Sequence, residues 1–98
     1  DVEVLLLPDS FLSGDSGSAT LTVRETGHGR ATGDTVRFRD VLGFDGFTAA
    51  VLTLAAGYTT TRVDEDNYTF SVSTGTATVG SKFGGGYPTT AGPVTVEA

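Results

Sequence analysis

Few residues in this chain can do acid–base chemistry. His28 is the only histidine, and it lies between Gly27 and Gly29. A catalytic histidine needs a carboxylate or a nucleophile held against its ring. The flanking glycines instead favour a reversing backbone, because glycine adopts positive φ without steric cost. We therefore predict a turn histidine whose ring bonds to nearby backbone.

Two carboxylates, Asp40 and Asp45, are candidates for the acid pair of a glycoside hydrolase. No other glycosidase feature is visible, and 98 residues leave little room for a substrate cleft. The serines lack a Gly-x-Ser-x-Gly context, and the Gly84–Gly86 run is not followed by the Lys-Ser/Thr of a phosphate loop. The sequence predicts a protein that is not an enzyme and needs no cofactor. A small hydrolase using His28, Asp40 or Asp45 is the least favoured alternative.

Two oxygen-rich segments raise the question of a calcium site. Residues 64–67 read Asp-Glu-Asp-Asn, and Asp9 and Asp15 lie in a second loop with three serines. The first segment lacks the spacing of an EF-hand, and four polar residues between two strands are typical of a hairpin turn. We predict solvated turns without a metal in both places. The predicted turn-defining residues are Gly27, His28, Gly29, Gly33, Asp34, Asp64 and Asn67.

Composition excludes several classes of partner. The net charge is −6, and Lys82 and five arginines are the only fixed cations, which argues against direct binding of nucleic acid. No cysteine is present, so disulfides and thiolate metal sites are excluded. No segment approaches the roughly 20 apolar residues of a membrane-spanning helix. The lack of any methionine, even at position 1, predicts a processed or excised fragment, or the ordered part of a longer polypeptide.

Alternating apolar and polar residues predict short β-strands throughout the chain. The predicted strands are 2–7, 18–25, 35–39, 57–63, 67–73, 76–79 and 93–97. Segment 47–56 could form a turn of helix or a strand, and its β-branched residues and flanking glycines favour a strand. The turn formers of 8–17 predict a loop. The glycines of 80–92 predict a weakly packed arm.

The sequence therefore predicts an all-β fold, a small antiparallel barrel or sandwich with an extended Gly-rich terminal arm. Three parts are expected: an N-terminal strand and loop arm (1–17), the core (18–79), and the Gly-rich arm with a closing strand (80–98). Large apolar side chains outside the alternating core must fold back or meet a partner. These candidate interface residues are Leu5, Leu7, Phe11, Leu12, Phe83 and Tyr87.

Three segments together resemble a recurrent β-module of tailed-bacteriophage structural proteins. They are 28–38 (HGRATGDTVRF), 43–47 (GFDGF) and 57–70 (GYTTTRVDEDNYTF), and the resemblance covers about residues 18–79. The module is similar to the small β-barrel half-domain of ubiquitin-activating enzymes. Thr60 stands where the module usually has an apolar residue, and Arg30 where leucine is common.

The resemblance implies a component of a phage virion or of a related gene-transfer particle, in the tail, hub, stopper or fibre. Its partners would be other virion proteins or copies of itself, and it would be assembled in the host cytoplasm. The alternative is a carbohydrate- or receptor-binding adhesin module of a tail fibre, with a glycan as partner. Exposed aromatic faces would then bind the sugar, and the candidates are Tyr58, Phe83 and Tyr87.

Overall fold

The alternating segments form nine short strands and one turn of helix in the computed structural model, which describes residues 3–94. The strands of the first half are β1 (Val4–Leu5), β2 (Phe11–Ser13), β3 (Thr20–Arg24) and β4 (Thr35–Arg39). Helix α1 (Ala49–Leu52) follows. The remaining strands are β5 (Tyr58–Thr59), β6 (Thr61–Arg62), β7 (Asn67–Ser71), β8 (Phe83–Gly84) and β9 (Thr90–Gly92). Within residues 3–94, no helix has the length and apolar character needed to cross a membrane.

The strands pair into two antiparallel sheets. One has four strands in the order β1-β9-β4-β5, and the other has five in the order β6-β7-β3-β2-β8. The all-β prediction is confirmed, and of the two architectures left open the fold is sandwich-like rather than a closed barrel.

The central strand pair shows how the sequence pattern sets the register. Leu21 of β3 lies opposite Phe70 of β7, and Val23 lies opposite Tyr68. All four side chains are buried, while the intervening threonines face outward. A shift of one residue would turn every one of these apolar side chains to solvent, so burial fixes this pairing.

Aromatic rings fill the space between the sheets. Phe11 and Phe38 meet edge to face with ring centroids 4.8 Å apart, and Phe38 lies 5.1 Å from Phe70. Tyr58 packs 4.7 Å from the same Phe70 ring. Each such pair adds about 0.5–1.5 kcal/mol to the effect of burying its area.

Segment 57–63, predicted as one strand, is two. Strand β5 pairs with β4, and β6 pairs with β7 in the other sheet. The chain changes sheets at Thr60, which is buried. Its hydroxyl donates to the carbonyls of Ala31 and Asp34 at 3.2 and 3.1 Å, so the buried threonine is satisfied by hydrogen bonds.

The strand predicted over 47–56 is wrong, because α1 occupies part of this segment. The Thr48 hydroxyl caps the helix by accepting from the Val51 amide at 3.2 Å. Two alanines follow at 49 and 50, and alanine is the best helix former. Burial of Leu52 against the core holds the turn in place.

The loop predicted over 8–17 contains a strand. Strand β2 lies between β3 and β8 in the five-stranded sheet, with Phe11 paired to Val23 and to Gly84. Three residues are too few to show an alternating pattern, so neighbouring strands and not the local sequence define this one.

The segment 80–92 is extended and glycine-rich, as predicted, but it is not weakly packed. It contributes β8 to one sheet and β9 to the interior of the other, and Ala91 and Thr89 are buried. Gly85 lies against the Phe11 ring, where a side chain at its Cβ position would come within 2.8 Å of a ring carbon. Glycine here allows close packing rather than looseness.

Three other predicted strands, 76–79, 93–97 and 2–7, are not found with their predicted bounds. No strand forms over 76–79, which is irregular and held by the bonds described below. Pro93 and Val94 belong to no strand, and 95–97 lie outside the described residues, as does Val2 of the predicted first strand. The apolar run of that first strand predicts cover on both faces, from this domain or from a neighbouring one, and within this chain only Leu6 of residues 4–7 is buried.

Candidate functional site

His28 is bonded through both ring nitrogens to main-chain groups. Its Nε2 lies 2.7 Å from the Asp64 carbonyl and 3.2 Å from the Asn67 carbonyl, and its Nδ1 accepts from the Arg30 amide at 2.8 Å. This pattern requires the proton on Nε2, so that the ring donates to the carbonyls. Both ring nitrogens are therefore occupied by hydrogen bonds. The ring joins the loop around His28 to the turn of residues 64–67.

The glycines and Asp34 shape the loop that follows His28. Gly27, Gly29 and Gly33 all have positive φ, as the predicted reversals require. The Asp34 carboxylate accepts from the Ala31 amide at 2.9 Å and closes the turn that enters β4. The loop of residues 27–34 is therefore stabilised by positive-φ glycines and by its own hydrogen bond.

The turn of residues 64–67 joins β6 to β7 and is also bonded internally. The Asp64 carboxylate accepts from the Asp66 amide and from Asn67 Nδ2, each at 2.9 Å. These bonds hold the pKa of Asp64 below its usual value. The Asp66 carboxylate accepts from the Gly27 amide at 2.9 Å and so ties this turn to the His28 loop.

A buried polar cluster beneath these turns was not predicted from the sequence. Glu25 is only 5% exposed, and its Oε1 accepts from the Tyr68 hydroxyl at 2.8 Å. Arg30 approaches the same carboxylate at 3.3 Å and places its guanidinium 5.6 Å from the centre of the Tyr68 ring. The His28 ring meets Tyr68 edge-on at 5.0 Å.

Electrostatics make this cluster a stabilising group rather than a reactive one. Burial, followed by the nearby Glu25 charge, raises the pKa of the Tyr68 phenol well above its ordinary value. The phenol therefore stays protonated and donates to the carboxylate. The sequence could have indicated that Glu25 is buried. It follows Leu21 and Val23 at every second position, and these two side chains face the core.

Asp45 pins the irregular segment that follows β7. Its carboxylate accepts from the Ser13 hydroxyl at 2.6 Å and from the amides of Val79 and Gly80 at 2.7 and 3.0 Å. The Ser13 bond first, and then the Val79 bond, hold the pKa of Asp45 below its usual value. Asp40 is exposed, and its carbonyl accepts from the Thr89 hydroxyl. The Asp45 carboxylate is thus committed to holding three segments together.

In the two candidate calcium loops, the carboxylates of Asp9, Asp64 and Asp66 accept hydrogen bonds from the protein. Within residues 3–94, no group of three or more His, Asp or Glu side chains could hold a metal ion. Asp9 accepts from the Gly86 amide at 3.0 Å, which fastens its loop to the Gly-rich segment.

The structure separates the candidate interface residues. Phe11 is fully buried among Phe38, Phe44 and Phe70 and cannot contact a partner, so its assignment to the interface is wrong. Phe11 lies on β2, within the segment 8–17 that the turn formers predict as a loop. Leu12 is half-buried on the outer face of the five-stranded sheet.

Leu5 and Leu7 lie along the free edge of the four-stranded sheet and are 54% and 64% exposed. The Leu6 amide donates to the Thr89 carbonyl at 2.8 Å, one residue beyond the Leu5–Thr90 pair. Tyr87 is 55% exposed. Leu42, 61% exposed, covers Gly86 from the other side. We call the outer side of residues 4–7, with Leu42 and Tyr87, the open edge.

Of the three aromatic candidates for sugar binding, two remain accessible. Tyr58 is buried, and its hydroxyl donates to the Val51 carbonyl, so it cannot present a ring to a glycan. Phe83 is 72% exposed on β8, the edge strand of the five-stranded sheet. Tyr87 belongs to the open edge.

No protein-family model, curated protein or solved structure matches this chain.

Proposed function

We propose that this chain is a non-enzymatic structural module of a phage-like particle, in its tail, hub, stopper or fibre region. In this proposal, copies of the chain bind one another through the open edge. The supporting observation is the set of exposed apolar side chains of the open edge on β1, an edge strand that is paired on one side only.

The apolar side chains favour a buried contact. Leu5, Leu7, Leu42 and Tyr87 are each more than half exposed, and Leu42 lies against Gly86, the chain neighbour of Tyr87. Large apolar side chains left exposed are typical of a site of protein association. Each leucine removed from water there would contribute about 1.5–3 kcal/mol if fully buried.

The backbone offers hydrogen bonds at the same place. Main-chain groups alternate in direction along an antiparallel strand, and the Leu6 amide points towards β9. The amides of Leu5 and Leu7 therefore point away from the sheet. A strand from a neighbouring copy can pair with them by edge addition.

Charge does not oppose this contact. The net charge is −6, yet residues 4–7 are uncharged, and Glu3 is paired with Arg39 at 2.7 Å. Soluble proteins usually protect an apolar edge with lysine or another charge, and none lies on these four residues. Assignment to a phage-like particle is supported by the resemblance of segments 28–38, 43–47 and 57–70.

The test is the mass of the chain in solution over a wide concentration range, by native mass spectrometry and light scattering. The unmodified chain should form multi-copy species, and the double variant Leu5→Lys, Leu7→Lys should stay monomeric. A matched control places lysine at Val63 and Val79, which are equally exposed elsewhere, and should assemble like the parent. A parent that is monomeric at every concentration would contradict the proposal.

A further inference from the structure

A second surface, on the outer face of the five-stranded sheet, has a different chemistry from the open edge. A groove of about 290 Å³ lies there between an aromatic ring and a set of polar side chains. The residues that define it are Phe83, Leu12, Thr22, Arg24, Asp66 and Asn67, and we call it the Phe83 groove. We propose that the Phe83 groove binds a neutral oligosaccharide.

The register of the sheet places the Phe83 ring beside Leu12 and Thr22, which form the base of the groove. Phe83 lies opposite Leu12, and Leu12 lies opposite Thr22. The Phe83 ring is the most exposed of the large apolar side chains in the described part of the chain. A sugar ring has an apolar face of C–H groups, which can lie against an exposed aromatic side chain.

The polar groups around this base include both donors and acceptors. The Arg24 guanidinium is exposed and has no hydrogen-bond partner among residues 3–94. Asn67 uses its amide nitrogen to donate to Asp64, which leaves its side-chain oxygen directed elsewhere. Asp66 binds Gly27 through Oδ1 and keeps its second oxygen. Sugar hydroxyls both donate and accept, so this mixed set suits them.

The charge balance selects a neutral ligand. One guanidinium and one carboxylate line the groove, and Asp64 and Glu65 lie in the adjacent turn of an acidic chain. A sulfated, sialylated or phosphorylated ligand would be repelled by these carboxylates. The side chains of Asn67 and Asp66 are already held by the turn, so little conformational freedom is lost when they bind a ligand.

The groove continues as a row of hydroxyl groups. Thr22 pairs with Thr69, which pairs with Thr61, so the hydroxyl row spans β3, β7 and β6. Together with Phe83 and Leu12 the surface crosses the whole sheet from β8 to β6, and four strand spacings make it roughly 19 Å long. That length suits an oligosaccharide better than a single sugar.

The first measurement is binding of the chain to an array of neutral oligomers of glucose, galactose, mannose and N-acetylglucosamine, with sialylated and sulfated glycans included. Binding to at least one neutral oligomer is expected. The second is an NMR titration with that oligomer, in which amide shifts should concentrate on β8, β2 and β3. An array without a neutral hit, or with anionic hits alone, would overturn the proposal.

Variants separate this groove from the open edge. Phe83→Ala should weaken binding about tenfold, because it removes the stacking surface, and Arg24→Gln should weaken it less. Tyr87→Ala is the aromatic control and should bind like the parent. The variant Leu5→Lys, Leu7→Lys should also keep full glycan binding. The result of the glycan test therefore does not depend on whether copies of the chain assemble through the open edge. Equal binding by Phe83→Ala and the parent would place the glycan elsewhere and refute the site.

Discussion

Two neighbouring regions of the sandwich, the turns around His28 and the open edge, use their polar and apolar groups in opposite ways. In the turns, the His28 loop and the 64–67 turn satisfy one another through main-chain bonds, above the buried Glu25 carboxylate. At the open edge, leucines and an aromatic ring face water beside the edge strand β1, which is paired on one side only. The contrast indicates that the first region stabilises the fold and that the second is available for contacts.

The largest effect should come from Glu25→Ala, beneath the turns around His28. The change leaves the Tyr68 hydroxyl and the Arg30 guanidinium without their shared acceptor, which should cost about 3 kcal/mol of unfolding free energy. Denaturation in urea measures it. Glu65→Ala, an exposed acid of the neighbouring turn, is the control and should change stability by less than about 0.5 kcal/mol. Equal losses in both variants would contradict a special role for the buried carboxylate.

His28→Ala should have a smaller effect. It removes the ring bonds to two carbonyls and one amide, one of them exposed and two partly buried, so about 1 kcal/mol of stability should be lost. Hydrogen exchange at the Arg30 amide gives a local readout and should become faster, because His28 Nδ1 is its acceptor. Unchanged exchange at Arg30 would show that the ring does not fasten this loop.

Acid should weaken the segment that Asp45 holds. The pKa of Asp45 is lowered in the folded chain, so its contribution is present above the unfolded pKa of about 3.9 and is lost as the pH falls through the folded value. Unfolding free energies measured from pH 7 to pH 2 should therefore fall more steeply for the parent than for Asp45→Asn. Asp15→Asn is the control, and its pH profile should follow that of the parent.

The smallest effect belongs to the open edge. Leu7→Ala removes a side chain that is already largely in water, so the unfolding free energy of the monomer should change by less than about 0.5 kcal/mol. The measurement is made at low protein concentration to exclude assembly. A loss of several kcal/mol would mean that Leu7 packs within the fold, and the contrast between the two regions would disappear.

The sequence was informative where strands are long enough to alternate. Thr35–Arg39 was predicted with its observed bounds, and β3 and β7 were found within longer predicted segments. Strands β2 and β9 were missed because they are three residues long and contain small or polar residues. These two strands pair with segments that are distant in the sequence, so a local pattern of residues cannot predict them.

The candidate surfaces were predicted less completely. Leu5, Leu7, Phe83 and Tyr87 are exposed apolar side chains, and alternation correctly set them apart from the core. Phe11 was misplaced with its strand. Arg24 and Asn67 of the Phe83 groove were not singled out as ligand-binding residues, because they become neighbours only through the β3–β7 register.

The crossing at Thr60 has a mechanical consequence. Residues 58–62 belong to one sheet at their start and to the other at their end, so neither layer can peel away while its companion stays whole. Under a pulling force the molecule should give way in a single event without a half-open intermediate. A part that carries load inside a larger machine benefits from that all-or-none resistance.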